Sequence, residues 1–229
     1  MADGGLAHSS VKVSWRGRIC RHGDAGFDPR RIGLELLMQS GEVRIVPYCL
    51  VAPSEEIARD LDDIFFEASA TTSFASAAAR VAFRHRWLGR YLECHPHEAF
   101  LALEQIASPA ADRTGQVAGY LVGAMTDPAR DPELADLAYI SDFASLSRAF
   151  PAHLHINLAP RFRSAGIGAR LIDAFAAHAR ARGAAGMHVV TAKGMRNVGF
   201  YLGNGFKQLG EADWKGRQLV LLGRVLAAH

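Results

Sequence analysis

Leu158-Ala159-Pro160-Arg161-Phe162-Arg163-Ser164-Ala165-Gly166-Ile167-Gly168 joins two strongly patterned segments. Upstream, His153–Leu158 reads as a strand. Downstream, Gly166–Arg182 carries Ile167, Leu171, Ile172 and Phe175 at helical spacing. A strand-to-helix turn of this kind presents free N–H groups and the positive end of a helix dipole, which together attract an anion. Gly166 and Gly168 leave room for a ligand at the backbone, because neither carries a Cβ. Arg161, Arg163 and Arg170 add positive charge. These residues predict a phosphate or pyrophosphate cradle. A Rossmann turn would need a third glycine and an acid about 20 positions on, and a P-loop would need Gly-Lys-Ser/Thr; neither pattern is present.

The chain around this turn has 229 residues, 49% of them hydrophobic and 21% charged, an ordinary globular composition. Its net charge of +3 argues against a general nucleic-acid binder, which needs a broad basic face. That charge is uneven. Residues 153–196 hold seven Lys/Arg against one Asp, whereas Glu56, Asp60, Asp63 and Glu67 share one side of an upstream helix. Three widely spaced cysteines, Cys20, Cys49 and Cys94, do not make a disulfide framework. With no apolar run of about 18 residues and no basic-then-apolar leader, the expectation is a cytoplasmic protein without a membrane partner.

Working outward, residues 1–41 lack a sustained period and are expected to form a flexible N-terminal extension, with 1–37 a candidate for an upstream start. The domain proper is expected over 42–229. It opens with a strand at Glu42–Tyr48, then a helix capped by Ser54 with Ile57, Leu61, Ile64 and Phe65 on one face. A second helix is expected from about Ser73 to Leu92, and two strands at Ala99–Ile106 and Gln116–Met125. Residues 127–150 read as an irregular insertion over one edge. After the turn come a strand at Met187–Thr191, a short helix at Met195–Leu202, and closing strands at Phe206–Leu209 and Gln218–Leu226.

Leu158-x-Pro160-x-x-Arg163-x-x-Gly166-Ile167-Gly168-x-x-Leu171 resembles the acetyl-CoA motif of the GNAT superfamily of N-acetyltransferases. Phe200-Tyr201-Leu202-Gly203-Asn204-Gly205-Phe206 is similar to that family's Phe-Tyr-x-x-x-Gly-Phe ending, in the right order. The likeness covers about residues 42–226. Pro151–Leu158 and Gly183–His188 look closest to the acetyltransferase-like domain attached to O-GlcNAcases and to its stand-alone bacterial relatives. The resemblance implies an α/β fold with a mixed, mostly antiparallel central sheet of six to seven strands and helices on both faces. It implies acetyl-CoA as co-substrate and direct acetyl transfer to a primary amine. A small-molecule or peptide amine is the implied partner, and a homodimer is left open. The alternative is a non-catalytic acetyl-CoA-binding or interaction module.

By the same resemblance, backbone groups of Ile156 and Leu158 would pair with the pantetheine arm. Arg163, Ser164, Ala165, Gly166, Ile167 and Gly168 would offer N–H groups to the pyrophosphate. Tyr201 would act as general acid toward the leaving thiolate, a role that suits a phenol. Ser164 stands where the family usually has glycine, which is harmless if its φ is negative. Gly194 stands where the family often has asparagine, and Asn197 is the nearest substitute.

The base is less clear. Positions 152 and 154, which often carry it, are Ala152 and Leu154. His153 and His155 fall on the opposite strand face, so His155 serves as base only after a register shift or a bulge; water carrying the proton is the other route. Cys94-His95-x-His97 and His153-x-His155 lack third and fourth ligands at metal spacing, and no metal is expected. Trp87, Phe100 and Phe143 read as core or pocket wall. The acidic helix side is either solvated or attractive to an amine. The donor motif does not encode the acceptor: amino acid, polyamine, aminoglycoside, amino sugar and protein lysine all fit.

Overall fold

The computed structural model describes residues 42–69, 71, 73–105 and 115–226. The extension at 1–41, the strand end at Ile106 and the last three residues lie outside them. One seven-stranded sheet runs in the order β1 (Val43–Pro47), β2 (Phe100–Glu104), β3 (Gln116–Ala124), β4 (Ala152–Leu158), β5 (Gly186–Ala192), β7 (Arg217–Val225) and β6 (Lys207–Trp214). Only β4 and β5 are parallel, and they pair only at Ala152↔Met187 and His153↔His188. Beyond that point they separate.

Helices cover both faces because strand alternation sends apolar side chains both ways. On one face α5 (Ile167–Ala181) buries Leu171, Ile172, Phe175 and Ala179 against Ala152, Leu154 and Met187. On the other, α1 (Glu55–Ala68) sets Ile57, Leu61, Ile64 and Phe65 against Leu101, Leu103, Val117 and Tyr120. Ser54 caps α1 by accepting the Ile57 N–H at 3.2 Å.

Three expectations change. The second helix is α2 (Ala77–Arg84), started by Ser76, which runs on through a π-helical turn at residues 85–89 into α3 (Arg90–Cys94). The short helix near the end is α6 (Arg196–Gly203), shifted by one residue. Strand β6 reaches Trp214, because a register shift between Gln208 and Gly210 lets pairing continue past Leu209. Segment 127–150, with short helical turns including α4 (Ala144–Ala149), packs over the last strands of the sheet, the edge strand β6 among them. Ile140 and Phe143 there pack on Leu221, beside Val190, Leu209 and Ala212. No helix among the described residues is long and apolar enough to cross a membrane.

Candidate active site

The separation of β4 from β5 leaves strand backbone unpaired. The Ala159 N–H donates to the Ala118 carbonyl at 3.0 Å, and Leu158 stands opposite Gly119. In an antiparallel pair this orientation alternates. The amides of Asn157 and His155 therefore face β3, while those of Ile156 and Leu158 face the opening. The Leu158 carbonyl is already taken, accepting from Arg163 Nε at 3.1 Å. The Ile156 N–H and carbonyl and the Leu158 N–H point into the gap.

A groove of about 900 Å³ runs from this gap to the start of α5 and across to α6. That volume suits a ligand larger than a metabolite fragment. Ile156, Leu158, Arg163, Ser164, Gly166 and Gly168 line one side; Asn197, Phe200 and Tyr201 line the other. Gly166 precedes α5 with φ of +77°, a conformation glycine adopts without strain, and a Cβ there would meet no protein atom. Gly168 has a different reason. A Cβ on it would lie 2.9 Å from the Phe200 ring, so it lets α6 close onto α5. The first N–H groups of α5, at Ile167 and Gly168, have no intrahelical acceptor. The Ile167 side chain is buried in the core, whereas Ala165 is exposed.

Three parts of the expected cradle differ. Ser164 has φ of +63°, in the left-handed region, not the negative φ that would leave its Cβ unstrained. The Arg163 N–H is engaged by the Pro160 carbonyl at 3.2 Å in a 3-10 turn and its Nε by the Leu158 carbonyl, so the terminal guanidinium nitrogens are the part left to face a ligand. Arg161 turns away, bonding Glu104 at 2.9 Å and Gln116 at 2.6 Å. Arg196, at the start of α6, lines the groove in its place. Asn197 is held by the Thr191 hydroxyl, which donates to its Oδ1 at 3.1 Å.

Tyr201 is buried between Phe200 and Phe206, with ring centroids at 5.3 and 5.5 Å. Burial pushes its phenol well above the ordinary value, keeping it protonated. No acid or base stands on the α5 side of β4, since Ala152 and Leu154 are packed into the core there.

His155 lies on the other face. Its Nε2 sits 3.3 Å from Tyr91 Oη, which is also 3.3 Å from His153 Nε2. Loss of water and nearby Arg90 hold His155 down at about 4, so its ring is neutral near pH 7. Its pairing with Val122 keeps the strand register unshifted. His153, His155 and His188 instead border a cavity of about 10 Å³, room for one water. His95 pairs with Glu98 at 3.2 Å. Among the described residues no group of three His, Cys, Asp or Glu is arranged to hold a metal ion.

On the acidic helix, Asp60 accepts the Val117 N–H at 3.0 Å and Asp62 pairs with Arg84. Asp63 is exposed, and Glu67 lies on the groove rim. Tyr91 carries no sequence signal beyond its place in the helix expected from about Ser73 to Leu92. Its contact with two histidines needs the helix packed on β4. Glu67 stood in the acidic row with no sign that it alone would reach the groove.

A CoA-type ligand fits these residues: strand amides face an opening, and a helix N-terminus with arginines closes one end of an elongated groove. The Acetyltransferase (GNAT) family model matches residues 70–206. The fold is shared with the crystal structure of SsHAT (22% identity, TM-score 0.59, covering 81% of this chain and 98% of that one). It is also shared with a chain of the NatC complex bound to Gag peptide and CoA (13%, 0.53, 81% and 99%). An N-acetyltransferase from Staphylococcus aureus Mu50 is a third likeness (14%, 0.52, 81% and 99%). With the sheet opening, the glycine-started helix and the family match in agreement, the chain belongs to the GNAT family of acetyltransferases, enzymes whose donor is acetyl-CoA.

Proposed function

We propose that this protein transfers an acetyl group from acetyl-CoA to a primary amine by direct attack. The observation that carries this reading is the Ile156 backbone, facing an opening that also receives Tyr201. Acetyl-CoA supplies an activated acyl carbon as a thioester. As the amine nitrogen bonds that carbon, the carbon–sulfur bond breaks, the nitrogen loses a proton and the thiolate gains one.

The chain's own groups divide this work. The Ile156 N–H, fixed by the β3 ladder behind it, donates to the carbonyl oxygen as negative charge develops there. The first amides of α5, with Arg163 and Arg196, hold the pyrophosphate. Tyr201 gives its proton to the departing sulfur; burial keeps that proton in place until the thiolate forms. Glu67 on the rim draws the amine inward, and solvent takes the amine proton. His155, neutral and turned to Tyr91, supports this route better than direct base catalysis.

Free-thiol release with an amine panel tests the reading. Tyr201→Phe should lower kcat about 100-fold while acetyl-CoA binding stays close to wild type. The absence of a base on the α5 side of β4 favours a second reading, an acetyl-CoA-binding module without turnover. Tight acetyl-CoA binding with no Tyr201-dependent thiol release would select it.

A further inference from the structure

On the face of the sheet that α1 covers, four rings from four elements meet in series. His155 on β4 stands edge-on to Trp87 in the π-helical turn, with centroids 5.4 Å apart at 82°. Trp87 stacks on Tyr139 of segment 127–150 at 6.4 Å and 20°. Tyr139 meets Trp214 at the end of β6, 6.3 Å away at 69°. Each of the four residues is half-buried, none fully covered. The series starts where β4 has parted from β5 and ends beside the turn between β6 and β7.

The charges that act on Tyr139, those of Arg90, Asp136 and Arg86, are already matched to one another. Asp136 is held by Arg90 at 2.7 and 3.0 Å and by Arg86 at 2.6 Å. The Lys215 ammonium lies 5.5 Å from the Trp214 ring. A chain of several cations would meet Arg86 at one end and Lys215 at the other, with Asp136 already taken. A neutral ring, by contrast, gains by lying on aromatic faces. The 10 Å³ gap behind Tyr139 and His155 is too small for it, so such a ring would rest on the exposed side of the wall.

We infer that the Trp87–Tyr139–Trp214 wall receives the acyl acceptor, and that the acceptor is a primary amine borne on a neutral ring rather than a polyamine or a basic peptide. This rests on the acetyl-transfer reading above and adds the substrate class to it. The amine would reach the β4–β5 opening past His155 while its ring packs on Trp87 and Trp214. These two tryptophans are specificity-determining residues and take no part in the chemistry.

The test uses the full chain with acetyl-CoA and four amines: tyramine, glucosamine, spermidine and an N-terminally blocked lysine tetrapeptide. Tyramine and glucosamine separate an aryl from a sugar ring. At least one should exceed both aliphatic amines in kcat/KM by about tenfold. Trp87→Leu and Trp214→Leu should each raise KM for that amine by about tenfold, with acetyl-CoA affinity and the thermal transition kept. Spermidine or the peptide as preferred substrate would overturn this inference and leave acetyl transfer standing. So would a ring amine whose KM ignores both variants when acetyl-CoA affinity and the thermal transition are retained. If one variant unfolds, the other decides. Failure to bind acetyl-CoA, or no acetylation of any amine, would overturn both readings.

Discussion

The Ala159 amide donates to the Ala118 carbonyl at 3.0 Å, and this one bond sets which way every amide of β4 points. Strand alternation then turns the Ile156 N–H away from β3 and toward the opening. A ladder bond on one side of the strand thus organises a functional group on the other.

A proline at position 156 would remove an N–H that the β3 ladder does not use. Ile156→Pro should therefore stay folded, yet weaken acetyl-CoA binding about fivefold to tenfold, the worth of one hydrogen bond. Asn157→Pro removes an amide that faces β3 and should destabilise the sheet instead. Calorimetry for binding and a thermal melt for folding distinguish the two. Equal behaviour of the two variants would contradict the orientation.

Ser164 holds φ of +63° next to Gly166 at +77°. A left-handed conformation costs a side-chain-bearing residue about 1–2 kcal/mol that glycine avoids. Ser164→Gly should raise Tm by about 2–4 °C, and Ser164→Val should lower it. A melt in which glycine is no better than serine would count against strain at this position.

Gly168 and Phe200 meet where α5 and α6 approach. A Cβ at 168 would stand 2.9 Å from the ring. Gly168→Ala should destabilise by about 1–3 kcal/mol through overpacking. Phe200→Leu, which shortens the ring side, should recover part of that loss. Chemical denaturation of both single variants and the pair gives the coupling; additive losses would mean that the two side chains do not meet.

The buried histidines give the stability a defined pH dependence. His155 and His188 are held at about 4 and His153 well below its usual value, in each case chiefly because burial disfavours the charged ring. The unfolded chain binds protons near 6.5 and the folded chain does not, so the unfolded state holds more protons between those values. Stability should be full above about pH 6.5 and fall toward pH 4, by about 3 kcal/mol from His188 alone. Urea denaturation across this window measures it. His188→Gln should flatten the slope, and a level profile for the wild type would contradict neutral burial.

Several parts of this architecture are legible in the chain itself. Apolar spacing in Gly166–Arg182 and alternation in His153–Leu158 predict a helix and a strand, because burial of one face imposes those periods. The two motifs, 158–171 and 200–206, predict the GNAT fold, and alternation puts His155 on the strand face opposite Leu154. These are local properties of backbone geometry and patterned burial.

Other features depend on which surfaces meet. The φ of Ser164, the capture of the Arg163 amide by Pro160 and the turn of Arg161 toward Glu104 are set by how one short loop settles between β4 and α5. Tyr91 reaches two histidines only because α3 packs over β4. The series from Trp87 through Tyr139 to Trp214 spans about 127 residues of sequence and has no local signature. Periodicity reports which face of an element is buried, but not which neighbour covers it. The sequence determined the elements, the donor motif and the family; only the tertiary structure decided the direction of the Ile156 amide, the contact of His155 with Tyr91 and the rings around the opening.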